Sequence, residues 1–303
     1  MHFKYNIHFN FMKHSKKFML FSIIVTLLGV VFLFTEGLNR GVDFKAGTTL
    51  DINAGKTIEK AKSEEIITTA GLSHGIITPG GERVSIRFDK VLNEAEVAKV
   101  KAGFIDAYGK DVSLEENTVD TSLAQELAQK AIIAVLVASV FICIYVAIRF
   151  EWRFAISAIV SLFHDAFFTI SIFSIFHLEV NLTFVAAILT IVGYSINDTI
   201  VIFDRIRENM RFAKVKNYDD LTHLVDASVS QTLTRSINTV VTVFVGALLL
   251  FLLGGESIRH FSLAMMVGLL CGAYSSIFIA APLWAMMKKS SLQKPRKAAV
   301  AKP

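Results

Sequence analysis

The chain has 303 residues and a net charge of +5; 53% of its residues are hydrophobic, only 19% are charged, and its mean hydropathy is +0.53. A soluble globular domain carries more charge than this and does not gather its apolar residues into long uninterrupted blocks. The composition therefore excludes an ordinary soluble domain and predicts a polytopic membrane protein.

Six apolar runs approach or exceed the length that crosses a hydrocarbon core about 30 Å thick. We predict membrane helices at residues 17–36, 129–149, 153–177, 181–204, 231–254 and 258–287. The first run follows several lysines, as in a secretory signal, but it is longer than the apolar part of a signal peptide and no small-residue cleavage site follows it. We expect an uncleaved signal anchor.

The distribution of lysine and arginine predicts the orientation of the chain in the membrane. These residues concentrate in the N-terminus (1–16), in the connections after the second and fourth helices, and in the tail (288–303), whereas the alternate loops "HLEVN" and "GGESIRH" hold only Arg259. Both termini are therefore expected in the cytoplasm and residues 37–128 outside. This bias accounts for the net positive charge, so no nucleic-acid partner is expected.

The external segment predicts a small α+β domain. "TTLDINA" alternates like a strand, "TIEKAKSEEIITTAGL" has helical periodicity, and "GIITPGGERVSIRF" indicates two strands around a Pro-Gly-Gly turn. A second helix ends before Gly109 and "DVSLEENTV" indicates a last strand. The order βαββαβ is that of a ferredoxin-like unit. No catalytic constellation is visible in it.

A glycine-bracketed turn precedes this domain. In "GVDFKAGTT", Gly41 and Gly47 enclose Asp43 where the first helix leads into the domain. The residues alone allow two interpretations. The segment is either a tight turn that Asp43 caps or a functional motif.

Ionisable residues inside membrane helices cost about 2.5–3.5 kcal/mol on insertion scales and are functional candidates by default. The candidates are Asp165, Asp198 and Arg235. Asp198 lies 17 residues from Asn181 and Arg235 lies 19 residues from Gly254, counted from the outer ends of consecutive antiparallel helices. At 1.5 Å per residue these depths are about 26 and 28 Å, so the acid and the base are predicted to lie at one level and to be able to pair.

Such a pair favours proton transfer. Burial favours the neutral acid while a nearby guanidinium favours the carboxylate, so a helix movement or entering water can load or unload a proton. The alternative is a purely structural role, in which a static ion pair joins two helices. The neighbours Asn197, Thr199 and Asn238 belong to a polar set that either holds water or forms hydrogen bonds between helices.

Other features remain open. Asp165, beside His164, is either a second relay point or a packing contact; Asp204 is interpreted as a solvated helix end. Small residues recur at every fourth position of the last helix (Ala264, Gly268, Gly272, Ser276 and Ala280), which indicates a packing seam, either internal or to a partner subunit. Residues 205–230 resemble an amphipathic connection at the cytoplasmic surface. Cys143 and Cys271 lie inside apolar helices, and no metal site is expected.

One helix, an external domain and five further helices resemble half of a resistance-nodulation-division transporter. Within that superfamily the motifs "GVDFKAGT", "HD", "GYSINDTIVIFDRIRE" and "TLTRSINT" resemble the SecF branch of the SecD/SecF family, over nearly all of residues 17–290. The family's proton-pathway aspartate and arginine match Asp198 and Arg235. The family motif has a Gly-Gly pair where this chain has Ala46 and Gly47.

The resemblance implies a multi-pass subunit of the bacterial inner membrane. It implies a complex with SecD that acts on preproteins at the SecYEG channel, with YajC as a further partner, and that uses the proton gradient without a bound cofactor. Na⁺ is the alternative coupling ion, but a single carboxylate without a cage of oxygens favours H⁺.

Two other functions fit parts of this pattern. A small-molecule exporter of the same superfamily has two large external domains and twelve helices in one chain. This chain has only six predicted helices and one small domain, so it has little room for a substrate pocket. An intramembrane aspartyl protease needs two carboxyls about 3 Å apart, but Asp165 and Asp198 are predicted to differ in depth by about 9 Å. No enzymatic activity is therefore expected.

Overall fold

The computed structural model describes residues 10–72 and 75–292. In chain order the elements are α1 (Phe11–Thr35), β1 (Asn39–Arg40), α2 (Val42–Lys45), β2 (Gly47–Asn53), α3 (Lys60–Thr69), β3 (Ile76–Pro79), β4 (Arg83–Phe88), α4 (Glu94–Tyr108), β5 (Ser113–Val119), α5 (Thr121–Arg149), α6 (Trp152–Ile175), β6 (Glu179–Val180), α7 (Leu182–Phe212), α8 (Tyr218–Leu253), α9 (Glu256–Ser275), a π-helical turn (Ser276–Ala280) and α10 (Ala281–Leu292).

Within the described residues six helical spans are long and apolar enough to cross a membrane. They are α1, α5, α6, α7, α8 and the continuous span Ile258–Lys289, which comprises most of α9, the π-helical turn and the start of α10. The predicted architecture of six spans with an α+β domain after the first is therefore confirmed.

Several helices extend beyond the predicted membrane segments. α1 begins at Phe11 and α5 at Thr121, where Asp120 accepts a hydrogen bond from the Leu123 backbone N–H and caps the helix. The predicted amphipathic connection at 205–230 is not a separate element, because α7 runs to Phe212 and α8 begins at Tyr218. An Asn217 capping box starts α8, and no glycine or proline interrupts it before Gly246. Most of the predicted basic tail lies outside the described residues.

The domain between α1 and α5 has the predicted βαββαβ order. Its sheet is β3-β4-β2-β5 with every neighbouring pair antiparallel, which is the strand order of a ferredoxin-like fold. Alternation along each strand divides the sheet into two faces. One face packs under α3 and α4 in a core that includes Leu50, Ile52, Ile86, Val100 and Phe104. The other face carries polar residues of β2 and β4.

A short parallel ladder fixes the domain to the helix bundle. β1, which follows α1, pairs with β6, which lies between α6 and α7, through Asn39–Glu179 and Arg40–Val180. The loop after α8 also contacts the domain, because Arg83 donates to the Gly254 carbonyl. These contacts place the two loops beside the domain, and we call this end of the bundle the domain end.

The bundle interior is layered along its length. Along α7, the residues Phe184 to Ile191 join an apolar cluster near the domain end, and Ile202 to Ile206 join a second cluster farther along. α6 contributes to both clusters, whereas the last span contributes to the first through α9 and to the second through the π-helical turn and α10. Between the clusters, each of these helices presents buried polar residues, which include Asp165, Ser195 and Ser275. The candidate site lies in this polar layer.

Candidate functional site

Asp198 has one satisfied and one unsatisfied carboxylate oxygen. Its Oδ1 accepts a short hydrogen bond from Ser236 Oγ of α8. Its Oδ2 is buried, and no described residue donates a hydrogen bond to it. Because an ionised carboxylate is an acceptor only, this oxygen is available to a proton or to a water molecule.

A small cavity adjoins Asp198. Its volume is about 20 Å³, and its polar lining comes from Tyr194, Ser195, Asn197, Asp198 and Thr239. Gly268 and Gly272 of α9 form part of the opposite wall. A single water needs about 10–15 Å³ and two to four polar partners, so the cavity is large enough and polar enough for one.

Arg235 lies at the predicted level but does not form the predicted direct ion pair. It precedes Ser236, which donates a hydrogen bond to Asp198, so Arg235 and Asp198 lie at one level. However, no ion pair within 4.0 Å joins Arg235 to Asp198 in the described part of the chain, although Arg235 still acts on the carboxylate electrostatically. Successive helical residues point about 100° apart, so Ser236 faces α7 while Arg235 is exposed at the bundle surface.

The polar neighbours take different positions. Asn197 and Asn238 are exposed, as is Arg235, and Asn238 lies three residues after Arg235 on the same face of α8. Thr199 is buried, and its hydroxyl lies 2.8 Å from Ser276 Oγ, where it joins α7 to the π-helical turn. Of these three, only Asn197 lines the cavity beside Asp198.

Asp165 is fully buried and surrounded by donors. Its Oδ2 accepts from Ser195 Oγ at 2.5 Å and Ser275 Oγ at 2.7 Å. Its Oδ1 lies 3.0 Å from His164 Nδ1 and 3.3 Å from Cys271 Sγ. Four partners occupy the acceptor capacity of a carboxylate, so this residue differs from Asp198 in having no open oxygen.

Asp165 and two of its partners are residue types that can bind metals. Their spacing in the sequence did not predict that they lie close together. One ligand atom each of His164, Asp165 and Cys271 lies within 4.8 Å of the others. The Sγ of Cys271 also lies 3.8 Å from His164 Nδ1. Hydrogen bonds to Asp165 account for this grouping, which only the packing of α6 against α9 reveals.

The small-residue seam of the last span is internal to this chain. A Cβ added at Gly268 would lie 2.2 Å from Ile191 Cδ1, and one added at Gly272 would lie 3.2 Å from Ser195 Cβ. Ser276 continues the contact through Thr199. The seam therefore brings α9 against the face of α7 adjoining Asp198. It ends in the π-helical turn, a feature that is frequent at functional sites.

The turn after α1 anchors α7. Asp43 Oδ2 accepts a hydrogen bond from the Leu182 backbone N–H at 2.8 Å, so Asp43 caps the first residue of α7 rather than its own turn. Gly41 leaves room for Glu179, since an added Cβ would lie 2.4 Å from Glu179 Oε1. Gly47 has φ +139° and an added Cβ there would meet the Phe88 carbonyl oxygen.

Two acids outside the polar layer, Asp204 and Glu151, form ion pairs with basic side chains. The prediction that Asp204 lies at a helix end is wrong, because α7 continues to Phe212. Asp204 contacts Arg207 at 2.7 Å and Arg149 at 3.2 Å. Glu151 contacts Arg153 at 2.5 Å and Lys288 at 3.7 Å. Both acids are partly exposed, so the prediction that Asp204 is solvated is consistent with the structure.

Comparison with known proteins identifies the family. The chain matches the model described as protein export membrane protein SecD/SecF, C-terminal, over residues 99–290, and the SecD/SecF GG motif over residues 31–58. It is 45% identical over 288 residues to protein translocase subunit SecDF of Bacillus subtilis, covering 94% of this chain and 39% of that protein. It is 42% identical over 294 residues to protein translocase subunit SecF of Alicyclobacillus acidocaldarius, covering 94% and 95% respectively.

A solved structure has the same fold. The crystal structure of SecDF, a translocon-associated membrane protein from Thermus thermophilus, superposes with a TM-score of 0.83 at 32% identity, over 95% of this chain and 40% of that one. The match spans the domain and the helix bundle together. The chain therefore belongs to the SecD/SecF family of protein translocase subunits.

Proposed function

We propose that this chain works as the proton-conducting half of a complex with SecD, and that the complex uses the proton gradient to drive late steps of preprotein export at the SecYEG channel. The observation that carries the proposal is the Asp198 site. It combines a carboxylate with one unpaired oxygen, a water-sized polar cavity and an arginine at the same level.

The geometry supports proton transfer over a static ion pair. A static pair would place the guanidinium of Arg235 directly on the carboxylate of Asp198, whereas here Ser236 holds one oxygen and the other remains open. Protonation of the open oxygen weakens the attraction of Asp198 for Arg235, which stays charged. Since one elementary charge crossing 100 mV releases about 2.3 kcal/mol, such a cycle has enough driving force to move helices.

The bundle exposes polar side chains at a level that a bilayer would surround. Tyr194 and Asn197 of α7 and Arg235 and Asn238 of α8 are exposed on the bundle surface within the predicted spans. Charged and polar side chains in membrane spans face protein or water rather than lipid. The related SecDF chains contain a further region of more than half their length, and we propose that SecD occupies this face here.

The remaining assignments follow from the same proposal. The coupling ion is H⁺ rather than Na⁺, because Asp198 is the one carboxylate that the described residues place at this cavity. The chain resides in the bacterial inner membrane with both termini in the cytoplasm, and SecYEG, YajC and an unfolded preprotein are its further partners.

The protease alternative loses support from the contacts. Asp165 binds Ser195 and Asp198 binds Ser236, and no contact in the described residues joins the two carboxyls. Two aspartates without a shared proton do not form the dyad of an aspartyl protease. The family relatives are likewise named translocase subunits rather than enzymes.

The test uses the full complex in membrane vesicles energised with a proton gradient. Asp198→Asn and Arg235→Met are each expected to abolish the proton-dependent stimulation of export, because each removes one member of the acid–base pair. Co-purification with SecD monitors assembly of each variant.

Asp204→Asn is the matched control, because it alters an aspartate of the same helix that binds surface arginines. It is expected to reduce export only slightly. Normal proton-stimulated export by the Asp198→Asn complex would refute the proposed function.

A further inference from the structure

Strand β4 presents two arginines to the helix bundle. Val84, Ile86 and Phe88 of this strand lie in the domain core. Because side chains alternate along a strand, Arg83 and Arg87 point to the opposite face. Four residues of strand separate them by about 13 Å.

Arg87 contacts the entry to the helix that carries Asp198. Its Nη1 donates to Glu179 Oε2 at 3.4 Å, and its side chain is only 6% exposed. Glu179 lies three residues before Leu182, the first residue of α7. The hydrogen bond from the Leu182 N–H to Asp43 adds a second link between the domain side and the same helix end.

Arg83 contacts the end of the helix that carries Arg235. Its Nη1 donates to the carbonyl oxygen of Gly254, the residue that caps the C-terminus of α8. A hydrogen bond between a charged donor and a carbonyl is stronger than a neutral one. One strand thus holds the domain ends of both helices that carry the acid and the base.

Polar groups from both sides line the space between these contacts. A cleft of about 80 Å³ lies between Thr49, Asp51 and Ser85 of the sheet and Glu179 and His260 of the bundle. This interface is therefore polar and loosely filled, unlike the domain core. Such an interface lets the domain tilt while the two arginines keep their contacts.

We propose that Arg83 and Arg87 of β4 form the mechanical link that transmits relative movement of α7 and α8 to the external domain. The proposal rests on the proposed function, since the protonation cycle of Asp198 supplies the movement. Helices are stiff, so a shift at the level of Asp198 reaches Leu182 and Gly254. A strand held at two points about 13 Å apart then converts a difference between the two helix ends into a tilt of the sheet.

The test separates export from proton movement in the assembled complex reconstituted in vesicles. The double variant Arg83→Gln/Arg87→Gln is expected to lose proton-stimulated export, down to the level without a gradient, while proton flux through the complex persists. Lys101→Gln, an exposed change on α4 away from the bundle, serves as the matched control and retains both activities. Arg83→Lys/Arg87→Lys is expected to restore part of the export, because lysine keeps the charge and a donor.

Hydrogen–deuterium exchange gives a second readout that does not depend on export. Asp198→Asn is expected to change backbone exchange in β2 and β4 when the arginines are present, and the change is expected to vanish in the Arg83→Gln/Arg87→Gln background. Export by the double variant at the parent level would overturn the inference, as would loss of proton flux together with export. Failure of the proposed function has a different signature, because Asp198→Asn itself would then export normally.

Discussion

Asp198 and Asp165 are both aspartates inside the helix bundle, but their oxygens meet different surroundings. Asp165 has four hydrogen-bond partners, whereas Asp198 has one and a cavity beside it. A carboxylate whose acceptor sites are all occupied is held in place, and one with an open oxygen can exchange a proton. The difference favours Asp198 as the proton carrier and Asp165 as a fixed centre that joins α6, α7 and α9.

Ala46 adopts a backbone conformation that favours glycine. It has φ 65° and ψ 152°, a region in which residues other than glycine cost about 1–3 kcal/mol. The chain matches the SecD/SecF GG motif over residues 31–58, a range that includes this turn. The chain therefore tolerates strain at the turn that leads into the domain.

We expect Ala46→Gly to raise the free energy of unfolding by about 1 kcal/mol. Relief of the strain exceeds the roughly 0.4–1 kcal/mol that the more flexible unfolded chain costs. Thermal unfolding of the purified protein in detergent measures the change.

Gly47→Ala is the opposing control, because the added Cβ would meet the Phe88 carbonyl oxygen at a positive φ. It is expected to lower the melting temperature. A lower melting temperature for Ala46→Gly would show that the turn is not strained.

At the scale of elements, the seam between α7 and α9 determines where Asp198 lies. Gly268 and Gly272 let the two helices approach, and Thr199 and Ser276 bond across the continuation of the seam. The repeat of small residues predicted a seam, but its partner was found only in the packed bundle.

Gly268→Ala is expected to destabilise the protein by about 1–3 kcal/mol, the usual cost of overpacking. The new methyl group would overlap Ile191 and force α9 away from α7. The same change is expected to reduce proton-stimulated export, because the cavity beside Asp198 is lined by Gly268.

Gly246→Ala provides the matched comparison within a membrane helix. An added Cβ at Gly246 meets nothing within 4 Å, so this variant should retain or gain stability. Thermal unfolding and export assays on both variants test whether the close approach at Gly268 is needed for stability and for export. Equal effects of the two substitutions would contradict the role of the seam.

At the scale of the whole molecule, the domain and the bundle meet across a polar interface centred on Glu179. Burial raises the pKa of Glu179, while the nearby Arg87 lowers it and the carboxylates of Asp51 and Asp43 raise it further. His260 lines the same cleft. The net effect is a glutamate whose pKa lies above its ordinary value.

The pH dependence of stability follows from this shift. A glutamate with a raised folded-state pKa contributes stability below its unfolded pKa of about 4.3, and this contribution is lost as the pH rises through the folded-state pKa. Glutamine cannot ionise, so Glu179→Gln should gain stability relative to the parent as the pH rises through that window. Thermal unfolding of both proteins in detergent between about pH 4 and 8 measures the difference. The prediction would be contradicted if the parent protein became more stable relative to Glu179→Gln as the pH rises.

The sequence by itself determined the six spans, the βαββαβ domain and the level of the acid and base. The length of an apolar run, the alternation along a strand and the number of residues between two positions of a helix depend only on local sequence. Tertiary packing does not change them. Counting from Asn181 and Gly254 was therefore sufficient to place Asp198 and Arg235 at one depth.

Only the tertiary structure decided which side chains face each other. Rotation about the axis of α8 turned Ser236, rather than Arg235, toward Asp198, and packing of α6 against α9 brought Cys271 to Asp165. The contacts of Arg83 and Arg87 with the helix ends also depend on how the domain sits on the bundle. Sequence spacing gives depth along a helix, but the azimuth of a helix and the docking of a domain follow from packing between segments far apart in the chain.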